Sequence, residues 1–229
     1  RARFKDYAPR AFRRLRALCG VSDLEYATAL GPGQLLRSLL CGHLGAFTSV
    51  RTEGKSGSFF YFTADGHFVL KTVPHAELRF LRELLPGLVA HLEAHPGSLC
   101  PRFLSAHEME FPSGDRVSFI VMLNVFRTPR RVHERYDLKG SRVGRSAAPH
   151  PGADVPEGVT RKDNDLHGRR FHVGPAKRAA LLQTLRRDVE FLARQGCMDY
   201  SLLVGVHRVR APDRRSGGGA GNGAPAPGA

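Results

Sequence analysis

Two short apolar segments on either side of an Asp-Gly pair constrain the fold of this chain more than any other feature. Residues 58–63 and 67–72 are rich in aromatic and β-branched residues, and the Asp-Gly pair lies at 65–66. Such a pair suits a tight hairpin turn, so the two segments are predicted to pair as antiparallel strands. Side chains alternate along a strand, so Lys71 on the second strand shares a face with Val69. The chain is therefore expected to contain an antiparallel sheet that carries a lysine.

A small, flexible segment precedes this hairpin and suggests a phosphate contact. It contains Gly54, Ser56 and Gly57. Glycine lets a backbone approach phosphate oxygens closely, so that exposed N–H groups bind their charge. Such a loop is most often an ordinary turn, and Lys71 alone would most simply be an edge-strand lysine in water. Lys71 strengthens the case for a site for nucleotide phosphates, and the edge-strand lysine stays the alternative.

Apolar side chains at three- and four-residue spacings predict the helices. Residues 9–19, 75–94 and 175–195 show this spacing, and a further short helix is predicted over 32–40. The last of the long helices carries a stripe of apolar side chains that is predicted to be core. The stripe consists of Leu181, Leu185, Val189 and Leu192. Residues 117–123 are apolar almost throughout, which is typical of a central strand.

The apolar run over 198–207 carries a single carboxylate, Asp199. An acid among buried apolar neighbours is unfavourable unless it is paired or used, which makes Asp199 a candidate functional residue. The simpler alternative is an aspartate at a helix-to-strand junction.

Residues 136–139 alternate apolar and charged side chains, which predicts a strand. The Lys-Gly-Ser sequence that begins at Lys139 suits a phosphate contact, and the alternative is an ordinary polar strand end. Further along, Asp163 and Asp165 lack additional ligands at calcium-loop spacing, so this pair is interpreted as a turn and helix cap. No metal ligand is predicted from the sequence.

The charge balance narrows the range of partners without choosing among them. A formal net charge of +14 attracts polyanions such as nucleic acid, an anionic membrane face or phosphorylated small molecules. Nucleic acid is the weakest of these, because the sequence lacks an aromatic stacking pattern or a known reading motif. The arginines of the helix over 9–19 form either a solvated face or a face that lies on anionic lipid.

Other features favour a folded intracellular chain. No apolar run approaches ~18 residues, and the first residues do not resemble a signal peptide. The Gly/Ala/Pro-rich residues 211–229 are predicted to be disordered. The four cysteines lie far apart beside apolar residues, which predicts reduced thiols. They are Cys19, Cys41, Cys100 and Cys197.

Several of these segments, in this order, resemble motifs of the phosphatidylinositol phosphate kinases. The family carries an SGS-type loop, an Ile-Lys-Thr strand, Asp-Leu-Lys-Gly-Ser and Met-Asp-Tyr-Ser-Leu-Leu, and the last two occur here at 137–141 and 198–203. The resemblance implies an α+β, two-lobed kinase-like fold. Its N-terminal lobe would span 1–126 and contain the antiparallel sheet. An incomplete C-terminal lobe would span 127–210.

The resemblance also implies ATP with Mg²⁺ and a role for each part of the nucleotide site. Lys71 would neutralise nucleotide phosphate. Asn124 and Val125 would lie at the hinge between the lobes, where an adenine ring docks on the backbone. The loop that covers the phosphates would contain Gly54, Ser56 and Gly57.

Two glutamates are candidates for the acidic partner of Lys71, namely Glu77 and Glu83 in the following helix. Arg79 is a departure, because related lipid kinases tend to carry glutamate there. Asp199 would act at the transfer centre, either by taking the hydroxyl proton or by organising metal.

Lys139 and Arg145 would face the substrate, a phosphoinositide. The expected reaction converts phosphatidylinositol 4-phosphate, or the 5-phosphate, to phosphatidylinositol 4,5-bisphosphate, with the 4-phosphate 5-kinase activity favoured. It would take place in the cytoplasm at the cytosolic membrane face, in a protein that would form homo- or heterodimers within the family.

The departure of most consequence lies beyond residue 207. The family's second acidic motif, an aspartate for Mg²⁺, and its activation loop are not visible before the Gly/Ala/Pro tail. This chain alone is therefore expected to be inactive or nearly so, because the metal carries much of the charge stabilisation. The alternative function is a scaffold that binds active family members and localises them at membranes.

Overall fold

The computed structural model describes residues 3–30, 47–50, 58–63, 65–148, 150 and 153–209. The predicted helix over 32–40, the loop with Gly54, Ser56 and Gly57, and the tail over 211–229 lie outside them. Helices and antiparallel strands are mixed in the described part of the chain, and no helix there is long and apolar enough to cross a membrane.

The described residues form eight strands. They are β1 (Arg3–Asp6), β2 (Phe47–Val50), β3 (Phe60–Thr63), β4 (Phe68–Val73), β5 (Phe103–Glu110), β6 (Arg116–Leu123), β7 (Glu134–Leu138) and β8 (Leu202–Val206). Four α-helices and one 3₁₀ helix accompany them in the same residues. They are α1 (Pro9–Leu18), α2 (Asp23–Leu30), α3 (His75–Ala94), α4 (Pro175–Arg194) and the 3₁₀ helix Asp163–Leu166.

Six strands form one antiparallel sheet in the order β1-β5-β6-β4-β3-β2. The predicted hairpin is confirmed, because β3 pairs with β4 and places Phe60 opposite Lys71. The Asp65 carboxylate stabilises the turn by accepting the backbone N–H of His67 at 2.9 Å. Since β4 lies between β3 and β6, the alternative that Lys71 is on an edge strand is wrong. The central position predicted for residues 117–123 is confirmed in β6.

The sequence did not predict β5, although this strand is buried along most of its length. Polar residues interrupt its apolar pattern, and the fold supplies each of them with a partner. Ser105 receives the hydroxyl of Tyr26, His107 faces Asp6, and Glu108 lies 3.5 Å from a ring nitrogen of His75. A buried strand that carries polar side chains does not show the apolar run that marks other central strands.

The sheet separates two apolar clusters. On β6, Ile120 points into the cluster formed with α1 and α3, whereas its neighbours Phe119 and Val121 point into the other cluster. Val73 of β4 lies in the same cluster as Ile120. Lys71 is opposite Ile120 in the ladder and therefore lies on the α3 side of the sheet.

Helix α4 packs through a face that includes only part of the predicted stripe. Leu192 packs against the core as predicted, and Leu185 is half-buried. The buried residues of the helix are Asp188 and Phe191, whereas Leu181 and Val189 are each 40% exposed. Phe191 stacks on His91 of α3 with ring centroids 4.3 Å apart. The contact with α3 thus selects the buried face, and in the described part of the chain Leu181 and Val189 remain open to solvent.

Candidate nucleotide and substrate site

A lysine–glutamate pair lies where the large sheet meets α3. Strand β4 ends at Val73, and α3 begins two residues later, after a proline. Glu77 is in the first turn of α3, where the positive end of the helix dipole favours an acidic side chain. Its Oε2 lies 3.1 Å from the Nζ of Lys71. Of the two candidate partners it is therefore Glu77 that pairs with Lys71, and Arg79 does not prevent the pairing.

The Lys71 side chain is held in place but remains partly exposed to solvent. Its ammonium lies 5.9 Å from the centroid of the Phe60 ring on the neighbouring strand, and 23% of the side chain is exposed. An ion pair on a strand fixes the amine, while this exposure leaves it open to a second anion. Such a lysine can neutralise a phosphate without first leaving the sheet.

Asn124 joins the end of β6 to the β3–β4 turn. Its backbone N–H donates to His67 at 2.9 Å, and its side-chain amide donates to the carbonyl of Gly66 at 2.8 Å. Its Oδ1 accepts the N–H of Phe126 at 3.0 Å. These bonds occupy the Asn124 side chain, whereas Val125 is exposed. Adenine binding at Asn124 and Val125 stays a prediction.

The β7–β8 ladder brings a second charged pair together. Its last rung pairs Leu138 with Leu202, so Lys139 emerges from the same end of the ladder that the residues before β8 enter. The Nζ of Lys139 lies 3.7 Å from the Oδ1 of Asp199. The strand predicted over 136–139 is confirmed as β7, which ends at Leu138 and positions Lys139 beside the candidate catalytic acid.

Asp199 is not the acid among buried neighbours that the sequence suggested. Its side chain is 91% exposed, and the preceding Met198 is also exposed. Its backbone has φ +58°, a left-handed conformation between α4 and β8 that turns the chain. The alternative interpretation, an aspartate at a helix-to-strand junction, is therefore correct for its position, and the carboxylate is accessible to a ligand.

Asp163 fixes the turn that follows β7. Its Oδ1 accepts the N–H groups of Lys139 at 3.0 Å and Gly140 at 2.7 Å. The predicted cap function belongs to Asp165, which accepts the N–H of Lys162 at 2.7 Å. The backbone groups that suggested a phosphate contact therefore bind a carboxylate of the chain itself, and the Lys139 side chain remains for a phosphate. No local sequence pattern signals this bond, because it joins residues 24 positions apart.

Arg145 is held between two carboxylates. Its Nε donates to Asp163 at 2.8 Å, and its Nη2 donates to the Oδ1 of Asp137 at 2.7 Å. Burial opposes the charge of the guanidinium, but these hydrogen bonds outweigh burial and raise the pKa of Arg145. Its Nη1 has no hydrogen-bond partner among the residues that the structure describes. The substrate contact predicted for Arg145 stays a prediction.

A buried glutamate that the sequence did not single out anchors the small sheet. Glu134 accepts the hydroxyl of Tyr136 at 2.7 Å and charged hydrogen bonds from Arg169 at 2.6 Å and Arg208 at 2.8 Å. Burial would raise the pKa of Glu134, but these hydrogen bonds and charges lower it to about 2. Its cationic partners are far away in the chain, so no local pattern reveals the cluster.

One buried group contains side chains that can bind metals. Donor atoms of His91, Cys100 and Asp188 lie within 4.8 Å of one another. The Asp188 oxygens are already engaged, by His91 Nε2 at 2.8 Å and by the N–H of Leu99 at 2.6 Å. A histidine and a thiol also do not suit Mg²⁺, which prefers oxygen ligands. Among the described residues, Lys71 thus fits nucleotide phosphate, whereas this buried group does not fit Mg²⁺.

An interior strand that carries a lysine, paired with a glutamate from the following helix, is the arrangement of a kinase nucleotide-binding lobe. Comparison with known proteins supports the assignment to a kinase. The family model for phosphatidylinositol-4-phosphate 5-kinase matches residues 43–225. The chain therefore belongs to the phosphatidylinositol-4-phosphate 5-kinase family, which confirms the resemblance seen in its motifs.

Curated relatives show the same family membership. The chain is 40% identical to a probable phosphatidylinositol phosphate kinase of Dictyostelium discoideum, over 90% of this chain and 28% of the relative. It is 37% identical to the phosphatidylinositol 4-phosphate 5-kinase its3 of Schizosaccharomyces pombe, over 93% of this chain and 27% of the relative. It is 40% identical to phosphatidylinositol 4-phosphate 5-kinase 1 of Arabidopsis thaliana, over 90% of this chain and 26% of the relative. The chain spans about a quarter of the length of these relatives.

Proposed function

We propose that this chain is part of an ATP-dependent lipid kinase that converts phosphatidylinositol 4-phosphate to phosphatidylinositol 4,5-bisphosphate. The observation that carries the proposal is the Lys71–Glu77 ion pair on an interior strand. Relatives named phosphatidylinositol 4-phosphate 5-kinases support the choice of substrate. The 5-phosphate lipid is the second substrate, since its phosphorylation gives the same product.

Phosphoryl transfer depends on charge neutralisation and alignment more than on covalent chemistry. Lys71, fixed by Glu77, would neutralise the nucleotide phosphates. The exposed Asp199 carboxylate would orient the inositol hydroxyl at the transfer centre and accept its proton. Mg²⁺, when bound, would supply further charge neutralisation on the phosphates.

The proposed reaction requires two lobes, with residues 1–126 in one and 127–210 in the other. The large sheet with Lys71 lies in the first range, and the β7–β8 ladder with Lys139 lies in the second. Asn124 and Val125 lie at their boundary, which supports a hinge there. The loop with Gly54, Ser56 and Gly57 would cover the nucleotide phosphates from the first lobe.

The positive net charge of the chain supports a location at the cytosolic face of an anionic membrane. On α1, Arg14 pairs with Glu93, and Arg13 pairs with Asp23. Since these pairs neutralise part of the helix, membrane attraction would come from the charge of the whole chain as well as from α1. The exposed edge strand β1 supports homo- or heterodimer formation within the family.

Nucleotide binding separates the kinase from its alternative, a scaffold that localises active family members. The test is thermal unfolding of the 229-residue chain with millimolar ATP, with and without Mg²⁺. ATP at about 100 times its Kd stabilises by about 2.7 kcal/mol, which raises Tm by roughly 5–10 °C in a protein of this size. Lys71→Met should abolish most of this rise. Glu83→Gln, an exposed change in the same helix as Glu77, should keep it.

Two results would contradict the proposed nucleotide site. If the unchanged chain shows no rise in Tm with ATP, the scaffold becomes the better account. If Lys71→Met binds ATP as well as Glu83→Gln does, the nucleotide lies elsewhere.

A further inference from the structure

We infer that Asp163 is a positioning residue that sets Lys139 and Arg145 in place to grip one phosphate monoester of the substrate. This inference rests on the proposed lipid kinase function and assigns the orientation of its substrate side. Asp163 does not touch the substrate. It acts through the two basic side chains.

One oxygen of Asp163 fixes the backbone of the turn that carries Lys139. Oδ1 accepts two consecutive backbone N–H groups, those of Lys139 and Gly140. Both can face the same atom because Gly140 has φ +74°, a conformation that favours glycine. The turn therefore cannot rotate without losing both bonds. It fixes the backbone from which the Lys139 side chain extends, and the Nζ of that side chain lies 3.7 Å from Asp199, at the proposed transfer centre.

The other oxygen of Asp163 determines the plane of Arg145. Oδ2 accepts a hydrogen bond from the Nε of Arg145 at 2.8 Å, and Asp137 accepts one from its Nη2. Two edges of the guanidinium are therefore fixed. Nη1 is the nitrogen without a partner in the described part of the chain. A planar guanidinium fixed on two edges presents its remaining N–H groups in one direction, which suits a phosphate oxygen.

The role of Asp163 is not that of a helix cap. Asp165 caps the 3₁₀ helix through the N–H of Lys162 and also accepts the N–H of Ala147. Asp163 instead directs both oxygens away from the helix, toward Lys139, Gly140 and Arg145. Burial opposes its charge, but the bonds from Arg145 and from these backbone groups lower the pKa of Asp163 and keep it ionised at neutral pH.

Charge and position predict opposite effects of a change at Asp163. A carboxylate close to a bound phosphate repels it, so charge alone predicts that Asp163→Asn binds an anionic headgroup more tightly. Positioning predicts weaker binding, because the amide nitrogen cannot accept the Nε–H of Arg145. The sign of the effect therefore distinguishes the two accounts.

The test measures binding of the 229-residue chain to vesicles of phosphatidylcholine with 5–10% phosphatidylinositol 4-phosphate. Vesicles with phosphatidylserine at equal charge measure attraction without a phosphate monoester, and soluble inositol 4-phosphate tests the monoester without a membrane. Asp163→Asn and Asp163→Ala are expected to reduce the preference for the phosphoinositide over phosphatidylserine at least fivefold. They should also weaken binding of the soluble phosphate by a similar factor.

Asn164→Ala is the matched control. Asn164 lies in the same turn, and its side chain donates to the carbonyl of Arg142 and to Ser146 without touching Lys139 or Arg145. It is expected to keep the preference. A second readout is the coupling of Asp163→Asn with Arg145→Ala, because two residues that act together give losses smaller than additive. Thermal unfolding of each variant confirms that it is folded.

The outcomes separate the inference from the function on which it rests. If the unchanged chain prefers the phosphoinositide but folded Asp163→Asn binds it equally well or more tightly, the positioning role is wrong and the proposed substrate stands. Fully additive losses with Arg145→Ala would also overturn it. If the unchanged chain shows no preference for the phosphoinositide, the proposed substrate is wrong and the inference falls with it.

Discussion

Replacement of Glu134 by glutamine is expected to destabilise the β7–β8 sheet strongly at neutral pH. The carboxylate is buried and accepts hydrogen bonds from Tyr136, Arg169 and Arg208. Glutamine keeps the size of the side chain but removes the charge, so the two arginines lose their counter-ion. Because β7 leads directly into Lys139, this cluster also supports the substrate side of the site.

The pKa of Glu134 determines the size of the effect and its pH dependence. The fall from 4.5 to about 2 corresponds to about 3 kcal/mol at 1.36 kcal/mol per pH unit. A carboxyl group with a lowered pKa stabilises the fold fully above its unfolded pKa, and this stabilisation is lost as pH falls through the folded pKa. The difference between the chain and Glu134→Gln should therefore be about 3 kcal/mol at pH 7 and only about 1 kcal/mol at pH 3.

Thermal unfolding followed by circular dichroism measures this difference. About 3 kcal/mol corresponds to a fall in Tm of roughly 6–12 °C for a chain of this length. The control is Glu157→Gln, because Glu157 forms an exposed ion pair with Arg131 at 2.6 Å. An exposed pair contributes about 1 kcal/mol or less, so Glu157→Gln should change Tm little. Equal losses for the two variants, or a Glu134→Gln deficit that is the same at pH 7 and pH 3, would refute the reasoning.

Two further predictions concern the core. Asp188→Asn should lower the free energy of unfolding, measured by urea denaturation, by about 2–4 kcal/mol, because His91 and the N–H of Leu99 lose a buried charged acceptor. A loss below about 0.5 kcal/mol would contradict this. Phe12→Ala, at a fully buried position, should cost about 3–5 kcal/mol in the same assay, and near-neutrality would mean that α1 does not pack as described.

Local patterns were sufficient to predict much of the fold. The Asp-Gly turn predicted the β3–β4 hairpin, and apolar spacing predicted α1, α3 and α4 close to their observed bounds. The position of Lys71 followed from strand alternation, and its partner was one of two glutamates on the next helix. These features depend on residues close together in the chain, which is why the sequence alone reveals them.

Features that depend on distant residues could not be predicted. Strand β5 is buried yet carries polar residues, whose partners come from α2, β1 and α3. Glu134 meets Arg169 and Arg208, which lie 35 and 74 residues away. Half of the apolar stripe of α4, Leu181 and Val189, was misassigned for the same reason, since contact with α3 rather than periodicity decided which face was buried. The exposure of Asp199 follows from a left-handed turn that its apolar neighbours do not reveal.

The most direct test of the account asks whether the amine of Lys71 lies at nucleotide phosphate. A biotinylated acyl-phosphate derivative of ATP transfers its acyl group to lysines beside the bound phosphates, and peptide mass spectrometry identifies them. The account predicts labelling of Lys71 that excess ATP suppresses, and loss of most of the ATP-protected labelling in Lys71→Met. Labelling of surface lysines alone, or labelling of Lys71 that excess ATP leaves unchanged, would contradict it.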